Sequence, residues 1–258
     1  MDTRRRHLYL EALGIEAWVR RTAPTPTVAT QIEVIAPAQE ATVVSAPGAV
    51  DLVTAQSSDP QSPMLQEAEA LWETLRAEVM SCKRCSLHTS RTQGVFGVGN
   101  RQADWLIIGE APGAEEDRRG EPFVGRAGQL LDAMLRAIGL SRSSNVYIAN
   151  VLKSRPPGNR DPKPEEVAAC LPFLMRQIRL LRPKLMLAVG RIAAQNLLAT
   201  DLSLARLRGK VHHFGELNTP LIVTYHPAYL LRTPADKRKA WEDLKFARNL
   251  FRQLSSTH

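Results

Sequence analysis

Cysteines are scarce in this sequence and long apolar runs are absent, and each of these gaps excludes a class of protein. Three cysteines in 258 residues are too few for the disulfide framework of a small secreted domain. No apolar run approaches the roughly 20 residues that a membrane helix needs, and no apolar signal core follows the basic first residues. We therefore expect a cytoplasmic monomer that has no membrane partner.

Lys and Arg are missing from one long stretch, residues 22–75, which instead contains seven acidic residues. The net charge of +8 therefore comes entirely from the remainder of the chain. A basic body beside an acidic segment is typical of proteins that bind a polyanion, and nucleic acid is the commonest such partner. A basic surface that only keeps the protein in solution is the alternative interpretation.

Three zones follow from the composition of the chain. Residues 1–21 have a loosely helical apolar pattern that is too short for a core of its own. Residues 22–62 are rich in Ala, Pro, Thr and Val, which predicts a flexible, disordered linker. Residues 63–258 alternate short apolar runs with amphipathic segments, and this alternation is typical of a single α/β domain.

The pattern within residues 63–258 predicts a parallel sheet. The predicted strands are 104–109, 145–152, 184–189 and 220–224, and the predicted helices are 64–80, 126–138, 163–181, 191–198 and 234–254. Strands that alternate with helices favour a three-layer α/β/α fold with a central four-stranded parallel sheet. In such a sheet, ligands bind beyond the carboxyl ends of the strands.

The loop after the first predicted strand has the composition of a ligand-binding turn. Gly109 and Gly113 flank Glu110 and let backbone amides approach a ligand closely. Phe123, further along the same loop, can present a ring face to a planar base. The alternative is a plain strand-to-helix connection in which Phe123 packs in the core.

The second and fourth predicted strands end at residues that suit a pyrimidine. The side-chain amide of Asn150 offers a donor and an acceptor together, which matches the O4 and N3–H edge of uracil and mismatches cytosine. His226 can donate a hydrogen bond to the negative charge that builds on a departing base. A lone Asn at a strand end is usually a cap or turn residue, so the inference depends on several strand ends that carry matched groups.

Residues close to these strand ends are candidates for contact with DNA. The candidates for phosphate contacts are Lys153, Arg155, Arg160 and Arg232. Leu230, with Tyr229 or Leu231 beside it, is the candidate wedge for the space that a flipped base leaves in the duplex.

Taken in order, the motifs resemble those of family-four uracil-DNA glycosylases, the iron–sulfur branch of the uracil-DNA glycosylase superfamily. They are Gly-Glu-Ala-Pro-Gly at 109–113, Pro-Phe-Val-Gly-Arg-Ala-Gly-Gln-Leu-Leu at 122–131, Arg-Pro-Pro-Gly-Asn-Arg at 155–160 and Thr-Tyr-His-Pro-Ala at 224–228. The resemblance covers residues 82–254. It implies hydrolysis of the N-glycosidic bond of deoxyuridine in DNA, the first step of base excision repair.

The resemblance also implies a role for each residue of the pocket. Phe123 would stack on uracil, Asn150 would read its edge, and His226 would stabilise the departing anion. Glu110 would help to place or activate water. No strong general base is evident, because Ala111 occupies the position of an Asp in the better-known branch of the superfamily.

Three cysteines match the ligand positions of an iron–sulfur cluster in that family. Cys82, Cys85 and Cys170 are three of the four, and Ser154 occupies the fourth. The resemblance implies a [4Fe–4S] cluster, whose standard ligands are four thiolates. With Ser154 three alternatives stay open: serine binds iron as an alkoxide, a three-iron cluster forms, or the site holds no metal.

The N-terminal peptide has a resemblance of its own, to the psi subunit of the bacterial DNA polymerase III clamp loader. The resemblance lies in an Arg-Arg pair, a Leu-Gly-Ile step and a Trp, and it implies that Leu13, Ile15 and Trp18 dock onto the clamp loader. Packing of this peptide on its own domain is the alternative. Two functions follow: a glycosylase tethered to the replisome, or a psi-like clamp-loader subunit that uses a non-catalytic glycosylase-like domain as a scaffold.

Overall fold

The structure is a computed structural model and describes residues 61–256. The predictions for residues 1–21, including the anchors Leu13, Ile15 and Trp18, lie outside the described residues, as does the predicted linker up to residue 60. The first helix begins at Gln61, two residues before the predicted start of the domain. Pro63 lies in its first turn, where the missing N–H of proline leaves no helical hydrogen bond unmade.

Eight α-helices, three short 3-10 helices and six strands form the regular structure of the described part of the chain. The helices are α1 Gln61–Ser81, α2 Ala114–Arg119, α3 Arg126–Ala137, α4 Pro164–Leu181, α5 Arg191–Leu198, α6 Leu204–Leu207, α7 Pro227–Arg232 and α8 Lys237–Ser256. The strands are β1 Val98–Gly99, β2 Trp105–Gly109, β3 Val146–Asn150, β4 Leu185–Val189, β5 His212–Phe214 and β6 Thr219–Thr224. Among these helices, none is long and apolar enough to cross a membrane.

The sheet is mixed, with strand order β1-β3-β2-β4-β6-β5. Its four central strands are parallel, whereas β1 and β5 pair antiparallel at the two edges. The prediction of a purely parallel four-stranded sheet is therefore correct for the centre and wrong for the edges. Two or three residues are too few to show the alternation by which a strand is recognised.

The two faces of the sheet each carry an apolar cluster, which explains the uninterrupted apolar runs of the central strands. Leu106 and Ile108 of β2 point into one cluster, with side chains from α1, α4 and α5. Trp105 and Ile107 of the same strand point into the other, with side chains from α3 and α8. The three-layer α/β/α architecture is confirmed.

The carboxyl ends of the parallel strands lie at one edge of the sheet. Gly109 at the end of β2 is paired with Asn150 at the end of β3, and Val189 of β4 is paired with Thr224 of β6. The loops that follow β2 and β3, and the segment that follows β6, therefore open at the same place. These loops carry the residues that the sequence predicts for the site.

Candidate active site

A cavity of about 410 Å³ opens at this edge, and the four predicted pocket residues line it. They are Glu110, Phe123, Asn150 and His226. Their separation in sequence exceeds 100 residues, so it is the parallel topology that brings them together.

Asn150 lies at the floor of the cavity with 2% of its surface exposed. Its Oδ1 atom is buried and has no hydrogen-bond partner within the described residues. A buried acceptor without a partner costs about 1–3 kcal/mol, so Oδ1 of Asn150 needs a donor, which a ligand in the cavity can supply. The N3–H of a uracil is a donor of this kind.

Gly109 contributes to the pocket because it has no side chain and so leaves room for Asn150 and Phe123. A Cβ atom on Gly109 would lie 2.4 Å from Oδ1 of Asn150 and 2.6 Å from Cζ of Phe123. Both distances are far inside van der Waals contact, so any other residue would displace the base-reading amide or the ring. Gly109 thus belongs to the site as predicted, with a steric role.

Phe123 forms one wall of the cavity. Its ring centroid lies 5.6 Å from that of His226, with 30° between the two ring planes, and only 6% of the residue is exposed. The alternative, that Phe123 simply fills the core, is half true: the residue packs in the apolar cluster of α3 and α8 and also lines the pocket.

His226 follows β6 and is the N-cap of α7. Its Nδ1 atom accepts a hydrogen bond of 3.1 Å from the backbone N–H of Ala228. Burial, with a contribution from the charge of Arg232, lowers the pKa of His226 to about 4. The ring is therefore neutral at pH 7, and since Nδ1 is the acceptor, the proton lies on Nε2 and is free for donation.

Glu110 is a second titratable group of the cavity, and its pKa is also strongly shifted. The pKa of Glu110 is raised to about 7, chiefly by burial and also by the charge of Asp161, while the charge of Arg191 acts in the opposite direction. Asp161 and Arg191 form an ion pair of 2.7 Å at the rim. The Glu110 carboxyl group therefore changes protonation near neutral pH, where a group that exchanges protons with water is most useful.

Glu116 is a residue of the site that the sequence analysis did not single out. Its carboxylate accepts hydrogen bonds from the backbone N–H groups of Gly113, Val124 and Gly125, at 3.1, 2.9 and 3.0 Å. It thereby joins the Gly-rich turn to the loop that presents Phe123. Its position three residues after Gly113 matches the spacing of a capping box, and this spacing was the available signal.

Lys153 is buried and therefore not placed for the phosphate contact that the sequence predicts. Its side chain is buried, and Nζ donates to the carbonyl of Asn150 at 2.8 Å and to Oε1 of Gln177 at 2.6 Å. Burial lowers the pKa of Lys153 to about 7 against a smaller opposing effect of Cys170. The lysine supports the strand end from within the core.

Leu230 is also unsuited to the role predicted for it. It is 1% exposed, so it cannot enter a DNA duplex in this conformation. The next residue, Leu231, is 36% exposed. Of the two neighbours named with Leu230 as wedge candidates, Tyr229 lines the cavity and Leu231 faces outward.

The predicted phosphate-binding arginines have different surroundings. Arg232 is exposed and lines the cavity. Arg155 donates to Asn159 at 2.8 Å, whereas both terminal nitrogens of Arg160 bind the buried carboxylate of Glu166, at 2.9 and 2.6 Å. A charge neutralised in this way attracts a phosphate less strongly than the free charge of an exposed arginine.

The four predicted cluster positions come together beside α1, but their chemistry differs from that of a [4Fe–4S] site. Cys82 and Cys85 pack against the apolar cluster that contains Cys170, and burial raises the pKa of Cys170. Ser154 Oγ accepts a hydrogen bond of 2.8 Å from Arg91, whose other terminal nitrogen donates to the carbonyl of Cys82 at 3.2 Å. Three thiols and a hydroxyl held by a guanidinium do not match four-thiolate ligation. Within residues 61–256, no group of three His, Cys, Asp or Glu side chains is arranged to hold a metal ion.

A pocket lined by a buried amide, an aromatic ring and a neutral histidine, at the edge of a three-layer sheet, has the features of an enzyme site that acts on an extruded nucleobase. The model of the uracil DNA glycosylase superfamily matches residues 96–245, and the chain belongs to that superfamily. A type-4 uracil-DNA glycosylase of Archaeoglobus fulgidus is 46% identical over 183 residues, which cover 69% of this chain and 91% of that protein. The type-4 uracil-DNA glycosylase of Thermotoga maritima is 41% identical over 189 residues, 72% of this chain and 97% of that protein.

A more distant relative marks the limits of the similarity. A type-5 uracil-DNA glycosylase of Thermus thermophilus is 37% identical over 150 residues, 51% of this chain and 68% of that protein. The identity is thus higher, and the coverage of both chains greater, for the type-4 enzymes. The family predicted from the sequence motifs is confirmed.

Proposed function

We propose that this chain hydrolyses the N-glycosidic bond of deoxyuridine in DNA, and that Asn150 selects the base. The single observation that carries the assignment is Oδ1 of Asn150, buried at the floor of the cavity without a partner among the described residues. Uracil N3–H satisfies this acceptor. Cytosine has no N–H at N3, so cytosine would leave Oδ1 unpaired and would be rejected.

Phe123 and His226 act on the uracil after Asn150 has selected it. The deoxyuridine leaves the DNA stack, and its uracil lies against the ring of Phe123. As the bond from C1′ to N1 breaks, its electron pair leaves with uracil. The Nε2–H of neutral His226 donates to the charge that develops on the uracil oxygen.

Water completes the hydrolysis. Its oxygen forms the new bond to C1′ of the deoxyribose and its proton passes to the carboxylate of Glu110, which gives uracil and an abasic site. Because leaving-group stabilisation lowers most of the barrier, a base with a pKa near 7 suffices. None of these steps involves the residues around Cys82, Cys85 and Cys170.

Incubation with uracil-containing oligonucleotides tests the proposal. Wild-type protein should produce alkali-labile abasic sites in single- or double-stranded substrates. His226→Ala removes the donor to the leaving group and should lower the single-turnover rate about 100-fold or more; Asn150→Ala should lower cleavage to a similar extent. His213→Ala, which removes an exposed histidine of β5, is the matched control and should cleave like wild type. Equal cleavage by all four proteins would contradict the proposal.

We also propose that residues 1–21 tether the glycosylase to the clamp loader of the replisome. The support is the sequence pattern around Leu13, Ile15 and Trp18, with an apolar anchor between arginines. Purified clamp-loader subunits should retain the full chain on a column and should lose it when residues 1–21 are deleted. Retention that is unchanged by the deletion would contradict the tether and leave the glycosylase assignment intact.

A further inference from the structure

The backbone of Phe123 has a conformation that bulky residues rarely adopt. Its φ angle is +56°, in the left-handed region where Cβ comes close to the backbone. A conformation of this kind persists only where the surroundings hold it. The ring of Phe123 faces the pocket from this strained position, so whatever holds the backbone also places the ring.

Arg142 holds the carbonyl side of this segment. It lies between α3 and β3, 19 residues further along the chain, and its side chain is 21% exposed. One terminal nitrogen donates to the carbonyl of Pro122 at 2.8 Å and the other to the carbonyl of Phe123 at 2.7 Å. The planar guanidinium thus binds two successive carbonyls as a fork.

Asp132 fixes the guanidinium in turn. Nε of Arg142 donates to Oδ1 of Asp132 at 3.1 Å, and the terminal nitrogen lies 3.0 Å from the same oxygen. Asp132 belongs to α3, the helix that follows the Phe123 loop. The loop is therefore connected through Arg142 to a rigid element.

The other side of the loop leaves no room for the carbonyl to turn. A Cβ atom on Gly128 would lie 1.7 Å from the carbonyl oxygen of Phe123, so helix α3 approaches this peptide closely. Glu116 binds the N–H groups of the next two residues. Among the described residues, Arg142 is the side chain that donates to the Phe123 carbonyl itself.

We propose that Arg142 is a positioning residue that holds the ring of Phe123 against the uracil. The inference rests on the proposed function and deepens it, because it assigns the capture of the extruded base to a residue outside the pocket. Stacking on uracil is made in both the bound state and the transition state. Loss of Arg142 should therefore raise KM more than it lowers kcat.

The first test compares Arg142→Ala, Arg142→Lys and Arg136→Ala. Arg136, an exposed arginine in the last turn of α3, is the matched control for loss of one positive charge. We expect KM for a uracil oligonucleotide to rise about tenfold in Arg142→Ala with a smaller change in kcat, and the inhibition constant for free uracil to rise in parallel. Arg142→Lys should recover part of the loss, since an ammonium group reaches one carbonyl.

The second test separates positioning from a general effect on folding. In a Phe123→Ala background the ring is gone, so Arg142→Ala should add less than about a twofold further rise in KM. Equal effects of Arg142→Ala with and without the ring, or an unchanged KM in a variant that melts at the wild-type temperature, would overturn the inference. Absence of cleavage by wild type would instead overturn the proposed function.

Discussion

Two titratable side chains of the cavity, Glu110 and His226, have pKa values that burial shifts in opposite directions. Burial disfavours the charged form of each group, so the pKa of Glu110 rises to about 7 while that of His226 falls to about 4. At neutral pH, His226 is an uncharged hydrogen-bond donor and about half of the Glu110 carboxyl groups are ionised. A neutral donor and a partly ionised acceptor suit a reaction in which uracil leaves as an anion and water loses a proton.

The pH dependence of the reaction should follow Glu110. The single-turnover rate should fall on the acid side with a midpoint near pH 7, because protonated Glu110 cannot accept the proton of water. Protonation of His226 should lower the rate further only when the pH approaches 4. Rates measured between about pH 5 and pH 9 provide the check.

Two variants identify the group whose protonation lowers the rate on the acid side. Glu110→Gln should be slow and independent of pH over the same range. Asp161→Asn removes a negative charge that raises the pKa of Glu110. The midpoint of the fall in rate should therefore move to lower pH in this variant. If the rate of Glu110→Gln still falls with a midpoint near pH 7, another group is responsible for the pH dependence.

Residues whose positions depend on local pattern were placed correctly from the sequence, and residues whose positions depend on distant partners were not. Asn150 and His226 end recognisable strands, so their position followed from the sequence. Lys153 looked like a surface charge, yet its burial depends on Gln177, 24 residues away. Arg142 gave no local signal, because its partners are carbonyls of a loop that only the fold brings near it.

At the scale of elements, the segment around Arg91 joins parts of the chain that are distant in sequence. Its guanidinium donates to the carbonyls of Val79 and Met80 at the end of α1, at 3.3 and 2.7 Å, and to Ser154 after β3. A cation is favourable at the carboxyl end of a helix, where carbonyls lack helical partners. Arg91 thus connects the end of α1 to the segment after β3, beside the predicted cluster positions Cys82 and Ser154.

Ser154 should therefore decide the iron content. We expect the anaerobically purified wild-type chain to hold well below the roughly four iron atoms of a cluster. Ser154→Cys supplies the fourth thiol and should give bound iron and a broad absorbance near about 400 nm. Iron assays and spectra of the two preparations provide the measurement.

A matched control shows whether position matters. Ser144→Cys adds a thiol at an exposed turn and should leave the iron content at the wild-type level. A wild-type preparation with four iron atoms per chain would contradict the expectation and favour a site in which Ser154 itself binds iron. Cleavage of uracil DNA by the iron-poor wild type would show that catalysis needs no cluster.

The elements that the sequence predicted were those long enough to show a period. The four central strands and the five long helices each span five or more residues, and their predicted bounds differ from the observed ones by a few residues. The strands β1 and β5 were not predicted because they contain only two and three residues. α2 lies in a loop whose Gly residues had indicated a turn, and the short helices α6 and α7 were not predicted.

At the scale of the whole molecule, the net charge of +8 makes the affinity for DNA depend on salt. Each phosphate that the protein neutralises releases counterions, so the logarithm of the binding constant falls with the logarithm of salt concentration by about 0.9 for each contact. Arg232 is exposed at the cavity that opens beyond the strand ends. We expect it to contact one phosphate of the extruded nucleotide's strand.

Arg232→Ala should therefore lower the slope of that salt dependence by about one, with binding measured by fluorescence anisotropy on a uracil oligonucleotide across a salt series. Arg179→Ala removes the same charge from the last turn of α4, at the opposite edge of the sheet, and should leave the slope unchanged. Because both variants alter the net charge equally, a difference between them assigns the effect to position. An equal decrease in both would mean that the basic body attracts DNA only through its overall field, and the cavity edge would then have no special part in holding the strand.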